Sequence, residues 1–307
     1  MQLTIQKPPF IRRGETVSIM MKNMLWALVL LLPLPVVHYG FHVLQIALAS
    51  VAACFLSEIA ACLLSKRQVD ISELSAIVTG LIIAMLMPPG APLWLPVTAG
   101  MFAVLIARAP FGFTGHNPFN PAAAGVAFVT AFWPKEMFSY PAPSAAAALK
   151  AGFKPEMIPS EMIWGTAGGA IGATAILVIV ACAVYLIVKK TINWRIMLCF
   201  LVAVGLFALL FPRIMISPLT SLKYELLSGS VLFCAVFMIT DPVTAPNTRL
   251  GGAIYGALAG VLLMLMRRYG IFEQTACFAV LLMNSLSPVI DSAICSFRAG
   301  RERKSNE

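Results

Sequence analysis

The chain is built of long apolar runs separated by short polar connections, and the runs have the length of bilayer crossings. A helix needs about 20 mostly apolar residues to span the hydrocarbon. Ten segments follow this pattern: 25–39, 43–64, 71–87, 93–107, 119–133, 164–188, 194–211, 227–239, 250–266 and 272–294. Trp26, Trp94, Trp133, Trp164 and Trp194 all fall at the ends of these segments, where an amphipathic ring prefers the headgroup layer. The longest connection, 134–162, divides the runs into two halves of five. The expected fold is therefore all-α: a cytoplasmic segment over 1–24, a single polytopic membrane domain over 25–294 and a basic cytoplasmic tail over 295–307.

Composition agrees. The chain is 60% hydrophobic and 11% charged, with mean hydropathy +0.88, whereas a soluble domain carries about 25% charged residues. The first 24 residues are basic, with no apolar core and no small-residue cleavage site, so no cleaved signal peptide is expected. The net charge of +9 raises the question of nucleic acid. Its distribution answers it: with a cytoplasmic N-terminus, 15 Lys and Arg fall on inner segments and 7 on outer ones. That bias predicts both termini in the cytoplasm and no nucleic-acid partner.

Three segments place polar residues and prolines where the surroundings are apolar. The first is "GFTGHNPFNPAAAG" (112–125), with His116, Asn117 and Asn120. The second is "TDPVTAPNT" (240–248), with Asp241, Thr244 and Asn247. The third is "LLMNSLSPVID" (281–291), with Asn284 and Asp291. Each proline removes a donor and frees a carbonyl, and non-helical backbone at membrane depth must find partners in protein or water. Pro-interrupted segments at matching places in two halves, here "AMLMPPGAP" (84–92) and "VFMITDPVTAP" (236–246), point to a binding site and an inverted five-plus-five repeat. Asn117, Asn120, Asp241, Thr244, Asn247 and Asn284 are the candidate ion path, since amide, hydroxyl and freed carbonyl oxygens suit a small cation. Plainer readings stand beside these. Asn120 is placed to cap a helix whose first residue is Pro121; Asp241 is placed to cap a turn; Pro288 is placed to kink a span.

Glu58 is expected as a buried carboxylate facing a cavity or partner, and Glu273 at the surface. "GTAGGAIGAT" (165–174) suggests close backbone packing, against a helix or a flat ligand. The seven cysteines form no CxxC pair and the three histidines are scattered, so no metal site is expected. No catalytic triad or acid pair is visible.

Several stretches in order, "PPFIRRGETVSIMMKNMLWAL", "SAIVTGLIIAMLMPPGAPLWLPV", "GHNPFNPAAAG", "GGAIGAT", "TDPVTAPNT" and "RRYGIFEQTACFAVLLMNSLSPVID", resemble the D subunits of Rnf electron-transport complexes and, more distantly, the NqrB subunits of sodium-pumping quinone reductases. The resemblance covers about residues 8–294. It implies a ten-helix fold similar to urea transporters in the cytoplasmic membrane of a prokaryote. It further implies a role, with other Rnf-type subunits, in moving electrons between ferredoxin and NAD while translocating Na⁺ or H⁺. That family usually carries FMN esterified to Thr of an S-(G/A)-A-T motif in the outer loop. Here that place reads "APSAAAALKAG" (142–152), and the loop 134–162 contains no Thr. Ser144 fits only in a shifted frame. Covalent FMN is therefore expected to be absent; FMN or riboflavin held through its ring by Gly168, Gly169, Gly172, Thr174 and Asn120 remains open. A non-redox channel or transporter on the same fold is the alternative function, and a scaffold for partner subunits a third.

Overall fold

The computed structural model describes residues 17–67, 74–112, 117–142, 144–165, 168–173, 176–214, 217–272 and 275–306, with side chains to residue 297. His116, Thr174 and Glu273, named above, lie outside the described residues.

The first half comprises α1 (Val17–Leu31), α2 (Pro33–Tyr39), α3 (His42–Leu64), α4 (Ser75–Leu86), α5 (Trp94–Leu105) and α6 (Pro121–Phe132). Three short helices, α7 (Pro134–Met137), α8 (Ala145–Lys150) and α9 (Pro159–Trp164), lie on the central connection. The second half comprises α10 (Ile176–Val188), α11 (Trp194–Leu210), α12 (Pro218–Leu227), α13 (Val231–Phe237), α14 (Arg249–Tyr269) and α15 (Ala276–Asn306). Among the described residues all regular structure is helical, apart from one isolated bridge between Ser144 and Gly168.

Five stretches, Val17–Tyr39, His42–Leu64, Trp94–Phe111, Arg249–Tyr269 and Ala276–Phe297, are long and apolar enough to cross a bilayer. α12 and α13 together pass as a sixth, bent by 53°. The bend falls at Gly229 and Ser230, both with positive φ (55° and 53°). α4, α6, α10 and α11 are apolar but only 10–17 residues long. Each expected segment thus holds a helix, and α4, α6, α10 and α11 fall short of the 20 or so residues of a straight crossing.

Three local expectations are corrected. The first helix begins at Val17, so Trp26 sits in mid-stretch rather than at an end. The segment 164–188 is not one helix: α9 ends at Gly165, in a left-handed conformation (φ 87°), and α10 starts only at Ile176. The motif at 281–291 is not a break, because α15 runs through Pro288. Pro288 has no N–H to give the carbonyl of Asn284, one turn back, and the neighbouring hydrogen bonds hold the helix together across that gap.

Packing follows one scheme in each half. α3 lies against α4 and α5, and α5 against α6; α11 lies against α12, α13 and α14, and α14 against α15. α1 packs on α4, and α10 on α13. The halves meet where α1 touches α10 and where α6 touches α15. Small residues permit the closest approaches. A Cβ on Gly125 would stand 2.3 Å from the Ala99 carbonyl oxygen, and one on Gly256 would stand 2.4 Å from that of Ile196. The outer faces are apolar: Leu177, Val180, Val184 and Val188 of α10 and Leu198, Val202, Leu206 and Leu210 of α11 form exposed stripes at helical spacing. Water would penalise such a surface, and hydrocarbon does not.

Two clusters of buried charge are paired. Glu58 meets Arg108 at 2.9 Å, so the expected intramembrane acid has a basic partner. Glu225 lies between Arg213 and Arg267, with Arg267 Nη1 at 2.8 Å. Arg267 also donates from Nη2 to the carbonyls of Ser228 and Gly229 at 2.8 and 3.3 Å, filling acceptors that the bend between α12 and α13 leaves without helical donors. Arg108 and Arg267 therefore sit inside the protein and are not surface charges.

Candidate functional site

The N-terminus of α6 and the C-terminus of α13 face one another across a cavity. Asn120 caps α6: its φ and ψ are extended (−67°, 116°), its Oδ1 accepts the Ala123 N–H at 3.2 Å, and Pro121 occupies the first helical position. α13 ends at Phe237, and Thr240 returns its hydroxyl to the Val236 carbonyl at 2.6 Å. The two ends touch where Asn120 Nδ2 donates to the Met238 carbonyl at 3.5 Å.

A third element locks this junction. The Asn120 backbone N–H donates to Asn284 Oδ1 of α15 at 3.3 Å, and Asn284 Nδ2 donates to the Tyr255 hydroxyl of α14 at 3.1 Å. Asn120, Asn284 and Tyr255 are all buried. The network joins both halves through side chains whose amide and hydroxyl groups satisfy one another.

Beside it lies a cavity of about 40 Å³, bounded by Ser75 and Thr79 of α4, Met21 and Met24 of α1, and Asn117, Asn120 and Asp241. Its volume suits a water or two, or a partly dehydrated cation, and is too small for a three-ring flavin. The Asp241 carboxylate accepts the Val243 N–H on Oδ1 (3.4 Å) and the Thr244 hydroxyl on Oδ2 (3.2 Å). Among the described residues Asp241 forms no ion pair. Asn117 Oδ1 is buried there without a hydrogen-bond donor among the described residues. An uncompensated carboxylate and an unsatisfied carbonyl oxygen on one small cavity attract a cation or a proton.

Of the residues proposed from the sequence, Asn117, Asn120 and Asp241 thus line one cavity; Thr244 is bonded to Asp241 and Asn284 to Asn120. Asn247 is not on the cavity. It is exposed, and its backbone N–H donates to Asp291 Oδ2 at 2.8 Å, while Thr248 donates its hydroxyl to Asp291 Oδ1 at 2.6 Å. This latch holds the 240–248 segment against α15. Tyr255, Ser75 and Thr79 were not singled out by the sequence. Ser75 and Thr79 are common residues in ordinary helix, and Tyr255 sits in a glycine-rich stretch that reads only as packing.

The glycine segment serves contact within the protein. A Cβ on Gly172 would stand 2.6 Å from Met85 Cβ, and the Ile171 N–H donates to the Met87 carbonyl at 2.9 Å, capping the end of α4. Met85 thus fills the space over Gly172. Gly168 bridges to Ser144. Ser144 is buried, and its Oγ accepts the Ala147 N–H at 3.0 Å as the N-cap of α8. The described residues do not fit an esterified FMN: the loop holds no Thr, and its Ser144 hydroxyl is engaged in a cap. No group of three or more His, Cys, Asp or Glu placed to hold a metal occurs among the described residues.

The fold and the site define a multi-pass α-helical membrane protein with a polar junction at the meeting of its two halves. Residues 4–300 match the family model NQR2, RnfD, RnfE, and the chain belongs to that family. It is 34% identical to the D subunit of the Na⁺-translocating ferredoxin:NAD⁺ oxidoreductase complex of Acetobacterium woodii, over 95% of this chain and 93% of that one. It is 29% identical to the D subunit of the proton-translocating ferredoxin:NAD⁺ oxidoreductase complex of Clostridium ljungdahlii, over 98% and 97%. The D subunit of the ion-translocating oxidoreductase complex of Escherichia coli is 34% identical over 80% of this chain and 84% of its own length.

Proposed function

We propose that this chain is the D-type membrane subunit of an ion-translocating ferredoxin–NAD electron-transport complex, and that the cavity at Asp241 lies on the path of the ion. Near-complete coverage by subunits of such complexes supports the first part; the channel and scaffold readings have no comparable observation behind them. The second part rests on one observation, the Asp241 carboxylate without a counter-ion among the described residues, on a cavity of cation size. One relative is named for Na⁺ and another for protons, so the family does not select the ion. An aspartate beside an amide oxygen serves either, by ligation or by protonation.

The recurrence of the same packing scheme in α1–α6 and α10–α15 supports ten crossings arranged as an inverted repeat. The bias of Lys and Arg supports both termini in the cytoplasm, and it persists when the buried Arg108 and Arg267 are set aside. For flavin, the proposal is that this chain carries no ester-linked FMN, since the loop 134–162 contains no Thr.

The experiment is Asp241→Asn in the assembled complex. Asn keeps one acceptor oxygen for the Val243 N–H and can donate from its amide nitrogen to the Thr244 hydroxyl, while the charge is removed. Ion uptake into vesicles per electron transferred should fall at least about tenfold while co-purification of the other subunits is unchanged. Unchanged uptake would show that Asp241 is only a turn cap.

A further inference from the structure

The lipid-facing side of the contact between α1 and α10 carries a groove of about 420 Å³, walled by Trp26, Leu30 and Pro33 on one side and Cys182 and Tyr185 on the other. Close-packed protein leaves few voids larger than a water, so this volume is a surface feature that awaits an occupant. Its walls are almost wholly apolar, and Trp26 is 67% exposed.

Charge is concentrated at one end. Ala27 lies beside Cys182, whose Sγ donates to the Ala27 carbonyl at 3.3 Å. One turn earlier in α1, Asn23 meets Thr191 (Nδ2 to Oγ1, 3.0 Å) and accepts from the Tyr185 hydroxyl at 3.4 Å. The two helices are therefore antiparallel, and the start of α1 lies beside the end of α10. Lys22 precedes Trp26 by four residues and Lys189 follows Tyr185 by four. Each lysine falls on the same face as a groove wall, about 6 Å beyond it along the axis. Lys190 adjoins them, in a left-handed conformation that ends the helix (φ 54°). All three lysines are exposed, and none forms an ion pair among the described residues. The nearby amide and hydroxyls are satisfied by one another, so the three ammonium groups are what this end offers a ligand.

We propose that this groove binds one anionic phospholipid, with an acyl chain along Trp26, Leu30 and Cys182 and its phosphate facing Lys22, Lys189 and Lys190. The charge complementarity selects this occupant: an apolar trough continuous with three exposed cations matches a molecule with an apolar tail and an anionic head. A transmembrane helix of another subunit would need acidic residues at the same depth. The proposal requires only that the chain spans a membrane, so it stands apart from the ion path.

The test is lipid retention by the full purified chain, followed by native mass spectrometry during titration with phosphatidylglycerol or phosphatidylcholine. Each lysine near an anionic headgroup contributes about fivefold to attraction. The wild-type chain should retain phosphatidylglycerol at a concentration at least about tenfold lower than phosphatidylcholine. Joint replacement Lys22→Gln, Lys189→Gln and Lys190→Gln should abolish that preference. Leu30→Trp, at an exposed position that fills the groove, should weaken retention of both lipids while leaving the melting temperature unchanged. Equal retention of phosphatidylglycerol by the triple variant, or no preference in the wild type, overturns the proposal. In native membranes a photoreactive residue at position 30 should form an adduct with phospholipid. An adduct with another polypeptide in its place also overturns the proposal and assigns the groove to an interface between subunits.

Discussion

Asn120 and Asn284 stand 164 positions apart in the chain, and the backbone N–H of the first donates to the side-chain oxygen of the second at 3.3 Å. That bond gives a partner to one of the donors at the entry of α6 and ties the first half of the molecule to the last helix. It also sets the position of Asn120 against the Met238 carbonyl, and so the width of the cavity between the two helix ends.

Asn284→Leu removes an acceptor from Asn120 and a donor from Tyr255, leaving buried polar groups unsatisfied. Such groups cost about 1–3 kcal/mol each. Thermal unfolding of the purified chain in detergent should show a clear loss of stability. Tyr255→Phe removes only an acceptor for Asn284 Nδ2 and should cost less. Equal effects from the two would mean that the Asn120 bond contributes nothing.

Among the described residues Glu225 is the sole anion between Arg213 and Arg267. Glu225→Gln leaves two guanidinium groups together in a buried site, and breaking a buried pair costs about 3–5 kcal/mol. Because Arg267 also holds the carbonyls at the bend, the loss should extend to the α12–α13 joint and speed proteolysis there. Lys223→Gln, two residues away and exposed, should stay within about 0.5 kcal/mol of wild type.

Gly256→Ala would bring a methyl group to 2.4 Å from the Ile196 carbonyl oxygen, backbone against backbone. The helices α11 and α14 must part, at a cost of about 1–3 kcal/mol. Gly90→Ala meets nothing within 4 Å and is the neutral control for the same chemical change.

On a denaturing gel the chain should show no flavin fluorescence at its own mass, because no Thr lies in the loop 134–162 and the Ser144 hydroxyl caps α8. A fluorescent band abolished by Ser144→Ala would establish an ester at that serine and refute the expectation.

Topology has its own measurement. A cysteine introduced by Lys150→Cys should react with a membrane-impermeant thiol reagent applied to intact cells. Cys295, exposed near the far end of α15, should react only after permeabilisation. The reverse pattern would place the central connection in the cytoplasm and invert the assignment of both termini.

The sequence by itself determined what depends on composition and order: that the chain is membranous and helical and where each apolar segment lies; it also offered Asn120 with Pro121 as a candidate helix start. These follow from residue type and local spacing, since hydrocarbon forces backbone groups to pair within a segment. The sequence also placed Asn117, Asn120 and Asp241 together as candidates, because Pro beside polar groups in an apolar setting is a local signal. What only the tertiary structure decided were relations between distant positions. Glu58 and Arg108 are partners across 50 residues; Asn247 lies off the cavity because Asp291 holds its loop; Met85 fills the space over Gly172. Nor could hydropathy distinguish a straight crossing from the shorter helices α4, α6, α10 and α11. Apolar content is a sum over a window, whereas a helix end, a bend at Gly229 or a shared cavity depends on which other segment arrives to satisfy the exposed donors and acceptors.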